Sequence, residues 1–174
     1  MTNELKIFSN PGIENRNDFK IAKDIANALI RHMNEEEIVA KVARKHTLGA
    51  KSGEIQEIFL PKALDLGFVS EKKGIFREFP VSQLRPDYYL KINHTAGIIM
   101  EVERGKTLAN NMDILDLWKC HICPNANYLF LIVPNIRQTT ERRSNVFSAV
   151  VRRMNTFFTE STFTNVDGVF IFGY

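Results

Sequence analysis

Arg85-Pro86-Asp87, followed by Gly97-Ile98-Ile99-Met100-Glu101-Val102-Glu103-Arg104-Gly105-Lys106, decides the reading of this chain. An apolar strand ends in two carboxylates at i and i+2, and a third carboxylate lies one strand earlier. Strand side chains alternate faces, so Glu101 and Glu103 point the same way, roughly 7 Å apart. With residues 93 to 97 as the hairpin loop, the numbers of facing partners sum to about 190, which sets Asp87 opposite Glu103. Like charges directly opposite destabilise a strand pair. Clustered carboxylates therefore either shift a pKa upward or hold a cation. An all-oxygen set suits Mg²⁺, with Mn²⁺ as a substitute. Acids at a strand end also occur simply facing water. Here Ile98-Ile99-Met100 ahead of the pair, and Val102 between its members, argue for a central strand opening into a cleft.

Upstream, Phe19, Ile21, Ala22, Ile25, Ala26, Leu29 and Ile30 recur at helical spacing, so residues 17 to 33 are expected to form a helix that Asn17 caps. Asn34 to Lys45 adds a second, with the acidic start Glu35-Glu36-Glu37 suited to a helix N-terminus. A third runs from Ser52 to about Leu66, stopped by Gly67, with Pro61 either kinking it or beginning a new turn. Ile75 to Val81, Asp87 to Ile92 and Gly97 to Glu103 then read as strands. Thr107 is placed to cap the next helix, whose apolar stripe is Leu108, Met112, Leu115, Trp118 and Ile122. Tyr128 to Val133 is a continuous apolar run, as in a strand buried on both faces. Ser144 to Phe158 reads as a helix and Val169 to Phe172 as a last strand. The expected fold is α/β, with a mixed central sheet of about five strands flanked by helices. One domain, residues 1–174, is expected, with a helical part over about 1–66 and an α/β core over about 52–174.

The 174 residues carry a formal charge of +3, a mild bias that permits a polyanionic partner without requiring one. Arg137, Arg142, Arg143, Arg152 and Arg153 form one basic cluster, and Lys41, Arg44, Lys45, His46 and Lys51 another; either meets phosphates or is merely solvated. Cys120-His121-Ile122-Cys123 supplies too few cysteines for a disulfide framework and lacks the further ligands zinc needs, so packing at a helix end is favoured. No apolar run approaches membrane-span length and the first residues lack a secretory pattern, so a soluble, cytoplasmic protein with no membrane partner is expected.

The element order, the Pro86-Asp87 dipeptide on the second strand and the acid pair at the end of the third resemble the PD-(D/E)xK nuclease superfamily, the restriction-endonuclease-like fold. The resemblance covers about residues 52 to 134. It implies that Asp87 and Glu101 bind a catalytic divalent metal, with the backbone oxygen of Val102 as a further ligand. The family's usual Lys two residues after the Glu is replaced by Glu103, a Glu-x-Glu variant known among its restriction enzymes. Glu103 would orient or deprotonate the attacking water. Lys106 would supply the missing positive charge, or else is a loop lysine in water. Family members often place a helix acid beside the metal; Glu54 and Glu57 share a helix face, and Glu57 is preferred because Ile58 and Phe59 follow it. Arg104, Asn110, Asn111, Lys119, Arg142 and Arg143 are the expected nucleic-acid contacts, although capping or solvent suits Asn110 and Asn111 equally. His121 lies too far along its helix to be the general base.

The resemblance implies a Mg²⁺-dependent DNA endonuclease acting on double-stranded DNA. A restriction-type homodimer with a cognate DNA methyltransferase is the first expectation. A structure-selective nuclease, or a binding subunit that kept the fold without the activity, is the alternative.

Overall fold

The computed structural model describes residues 3–47, 52–70, 85–104, 107–138, 143–159 and 164–174. Within them the chain runs β1 (Glu4–Ser9), α1 (Asn17–Met33), α2 (Glu36–Lys45), α3 (Ser52–Asp65), β2 (Val69–Ser70), β3 (Tyr88–Lys91), β4 (Gly97–Val102), α4 (Met112–Ile122), β5 (Tyr128–Val133), β6 (Ile136–Gln138), β7 (Arg143–Asn145), α5 (Val146–Asn155) and β8 (Gly168–Gly173). The α/β expectation holds, with a mixed sheet of six strands in the order β1-β8-β5-β4-β3-β2. β4, β5 and β8 are mutually parallel, while β1, β2 and β3 pair antiparallel. The expected strand over Ile75 to Val81 lies outside the described residues, as do Lys106, Arg142 and Lys51.

Alternation along the central strands sorts the core into two layers. Ile98, Met100, Val102, Tyr128, Phe130, Ile132, Phe170 and Phe172 face α1, α2 and α3. Ile99, Leu129, Leu131, Val133, Val169 and Ile171 face α4 and α5. Glu101 and Glu103 share parity with Ile99, so both belong to the α4 and α5 side.

Several local expectations are corrected. The N-terminal part is not purely helical: β1 pairs with β8 along its whole length. Arg16, not Asn17, is the N-cap of α1, and no side chain caps it. Its first turn is held instead by Asp18, which pairs with Arg16 and accepts a 2.9 Å hydrogen bond from the Tyr128 hydroxyl, while Arg16 also reaches Asp167 at 2.8 Å. The hydrogen bond from Arg16 holds the Asp18 carboxyl below the usual carboxylate range. This latch ties α1 to the starts of β5 and β8. Because the folded pKa is depressed, its stabilisation is present above about pH 4 and is lost as pH falls through the folded value. Asp18→Asn is expected to lower unfolding free energy by about 1–3 kcal/mol in urea titrations at neutral pH, with a smaller deficit in strong acid.

Pro61 lies within α3, which continues through it. Gly67 ends the helix as expected: at φ +92° it permits Gly67 N–H to bond Leu64 O at 3.0 Å and Phe68 N–H to bond Ala63 O at 2.9 Å. Thr107 does not cap α4. The helix starts five residues later at Met112, behind Asn111 in the left-handed region, and the backbone oxygen of Thr107 accepts from Met112 N–H at 2.8 Å. Residues 136–138 and 143–145 form the antiparallel β6–β7 pair, so the helix expected from Ser144 to Phe158 is confined to Val146–Asn155.

Candidate active site

The β3–β4 hairpin is tighter than expected, because Ile92 N–H already bonds Ala96 O at 2.9 Å. Tyr88 faces Met100 and Lys91 faces Gly97, so the position opposite Asp87 is Glu101, not Glu103. The two acids interlock across the strands. Asp87 N–H donates to Glu101 Oε2 at 3.2 Å, and Val102 N–H donates to Asp87 Oδ2 at 2.9 Å. Glu103 follows just beyond β4, its backbone fixed by N–H to Ile132 O at 2.8 Å and by the Tyr174 hydroxyl donating to its carbonyl at 2.9 Å.

α4 completes the cluster in a way the apolar pattern did not foretell. Two members of the expected stripe are turned outward, Trp118 55% and Leu115 37% exposed, while Leu108 packs against the core. The buried face is Asp113, Asp116, Leu117 and Cys120. Lys119 reaches in from the same helix: its Nζ lies 2.9 Å from Glu101 Oε1 and 2.9 Å from Asp116 Oδ1. Its side chain is 10% exposed, which sets it inside the acid cluster. Asp113 is neutralised by Arg153 of α5 at 2.8 Å, and that guanidinium also donates to Asn111 Oδ1 at 3.2 Å. The second oxygens of Asp113 and Asp116 are buried with no hydrogen-bond partner among the described residues.

The electrostatics follow from this crowding. Burial, then repulsion from Asp116, pushes the Glu101 carboxyl well above its ordinary value. Burial with Asp116 and Asp87 nearby raises Glu103 to about 7, and burial raises Asp116 to about 6 despite its ammonium partner. For Lys119, burial opposes the charge, yet Glu101 and Asp116 overcome it and hold the amine protonated. Carboxyls raised on folding take up protons as the chain folds, so stability falls as pH rises from the unfolded carboxyl range through about 7. Without divalent cations, melting at about pH 5.5 is expected to exceed that at about pH 8 by a few degrees, as calorimetry would read.

The other expected residues are dispersed. Glu57 is exposed on α3, where it and Asp87 both act on the Tyr88 phenol, and Glu54 pairs with Lys45 at 3.1 Å. Arg104 turns to the α2 side, where its guanidinium donates to Thr47 O and its Nε is buried without a partner among the described residues. Asn110 and Arg143 are exposed, and Asn111 is engaged by Arg153. Cys120 is buried and donates to Ala126 O at 3.2 Å, the expected packing at a helix end. His121 accepts from Asn165 N–H at 3.1 Å.

Among the described residues, no three His, Cys, Asp or Glu side chains form a ready-made metal cage. The contacts explain this, since both Glu101 oxygens and one Asp87 oxygen are occupied by Lys119, Asp87 N–H and Val102 N–H. The donors nonetheless fit a hard divalent ion in chemistry: they are all oxygen, Asp87 and Asp116 raise the Glu101 and Glu103 carboxyls, and Asp116 has a buried oxygen with no partner among the described residues. Asp116 is a member that the sequence reading does not single out, and Lys119 joins the acids as well as being an expected nucleic-acid contact. Carboxylates at i and i+3 on the helix after the acid strand, with a lysine three further on, were the available signal.

No protein-family model, curated protein or solved structure matches the chain. Among the described residues, no helix is long and apolar enough to cross a membrane.

Proposed function

We propose that this chain has a restriction-endonuclease-like core and is a divalent-metal-dependent endonuclease hydrolysing DNA phosphodiester bonds. One observation carries the reading: Asp87 just before β3, Glu101 of β4 and Lys119 of α4 meet at one end of β4, where Glu101 accepts from Asp87 N–H and from Lys119. An aspartate, a glutamate and an ammonium are the groups the PD-(D/E)xK resemblance calls for, and the cation arrives from α4 where Glu103 replaces the usual lysine.

Mg²⁺, or Mn²⁺ in its place, would be held by Asp87 and Glu101 with the Val102 backbone oxygen, and would supply Lewis-acid polarisation of the phosphoryl oxygen and an acidified water. Glu103, on the same sheet face, accepts the proton of the attacking water on its carboxylate. Lys119 offers N–H donors to charge developing on the phosphoryl oxygens, and Asp116 keeps that amine charged and aimed. Arg143, exposed on β7, with Arg142 and Lys106, is proposed to contact the backbone of double-stranded DNA. A homodimer would place two such sites on a duplex.

The reading is tested with supercoiled plasmid, linear duplex, four-way junctions and single strands, each with Mg²⁺ or EDTA. Discrete plasmid fragments indicate a restriction-type enzyme, which would be paired with a DNA methyltransferase. Cleavage confined to junctions indicates a structure-selective nuclease. DNA binding without cleavage of any substrate replaces the proposal with a non-catalytic binding subunit.

A further inference from the structure

We propose that Lys119 is a resident cation of the acid cluster, which a divalent metal ion must displace from Glu101, so that Lys119 sets the metal affinity of the site. The proposal rests on the metal-dependent reading above. Its ammonium sits 2.9 Å from Glu101 Oε1 on a side chain only 10% exposed, so it occupies the carboxylate that a metal would need. An ammonium and a divalent ion sharing one buried carboxylate repel strongly at such separations. The helix beneath it is fixed, since Leu117 and Cys120 are buried in the core and Asp113 is pinned by Arg153. Any accommodation therefore falls to the flexible lysine stem rather than to α4.

The structure provides a place for the amine to go. Asp116 Oδ1 already accepts from Lys119 at 2.9 Å, and Asp116 Oδ2 is buried with no hydrogen-bond partner among the described residues. An ammonium with three N–H donors can leave Glu101 and take a second bond at Asp116 without becoming an unpaired buried charge. Asp116 is thus a positioning residue, the carboxylate onto which Lys119 withdraws. Among the described residues the same ion pairs fill the space between the acids, which accounts for the lack of an open cage there.

Mn²⁺ binding, followed by electron paramagnetic resonance of the free ion with no nucleic acid present, tests this on wild type, Lys119→Met, Lys119→Arg and Glu101→Gln. Lys119→Met is expected to bind Mn²⁺ about tenfold tighter or more, Lys119→Arg within about threefold of wild type, and Glu101→Gln much more weakly. In the wild type, the Lys119 side-chain resonance in a ¹³C-lysine sample, assigned by its absence from Lys119→Arg, is expected to move as Mg²⁺ is added. A folded Lys119→Met with unchanged or weaker affinity overturns the proposal, as does absence of Mn²⁺ binding in wild type and Lys119→Met alike. If Lys119→Met does not fold, the wild-type resonance decides, and a signal that stays fixed through Mg²⁺ saturation overturns it. Metal binding with this pattern but no cleavage of any nucleic acid would refute the hydrolase reading alone.

Discussion

Glu101→Gln is expected to reduce phosphodiester cleavage by about 10³-fold while leaving the fold no less stable than wild type. The two halves of this result have one cause. Glu101 is buried, repelled by Asp116 and Asp87, and ionised at a cost. A neutral amide of the same shape removes that cost, keeps an acceptor for Asp87 N–H, and leaves Lys119 with Asp116. What it removes is the charge that a divalent ion and a phosphoryl group would require. An acid retained at the expense of stability is the pattern of a functional group, whereas a structural ion pair would lose stability when broken. A Glu101→Gln protein that melts well below wild type would place Glu101 among the structural residues. Retained cleavage would remove it from the chemistry.

Gly97→Ala is expected to produce the largest loss of stability, about 3 kcal/mol or more, seen as a fall of about 10 °C in melting temperature. Gly97 opens β4 beneath a clamp in which the Tyr89 hydroxyl donates to Asn125 O at 2.9 Å and Asn127 N–H bonds Gly97 O at 3.0 Å. A Cβ there would overlap Asn125 O and lie 2.6 Å from the Tyr89 hydroxyl oxygen. The backbone oxygen has no rotamer by which to yield, so the clash moves either the 123–127 turn or β4 itself. Either shift disturbs the register that aligns Asp87 with Glu101. Urea titration checks the magnitude, and a variant within about 0.5 kcal/mol of wild type would contradict it.

Much of this architecture is legible in the sequence because burial there is periodic. Tyr128 to Val133 is apolar at every position, and it is the strand flanked by β4 and β8 with both faces covered. Ile98 to Met100 before Glu101 similarly marks β4. The edge strand β1 was missed although Glu4 and Lys6 alternate with Leu5 and Ile7, since six residues near a terminus give a weak period. The register erred by one step per strand because the turn closes at Ile92 and Ala96, a choice of loop geometry that side-chain pattern does not specify.

α4 shows the sharper limit. Its apolar residues outnumber its acids in any helical window, so pattern alone turns Leu115 and Trp118 inward. The structure instead buries Asp113 and Asp116, because Arg153 and Lys119 supply partners from α5 and from the same helix. Burial of a charge depends on its partner, and partners distant in sequence leave no periodic trace. The same reasoning accounts for Lys119. Its identity is visible at once, but its role beside Glu101 depends on how far α4 leans over the end of β4.

The most direct measurement of the central claim is plasmid cleavage by the purified protein in Mg²⁺, Mn²⁺ or EDTA, with Glu101→Gln alongside. The account predicts nicked or linear product from the wild type in either metal, none in EDTA, and none from the variant. Plasmid left intact by the wild type in both metals, or cut equally by the wild type and Glu101→Gln, would contradict it.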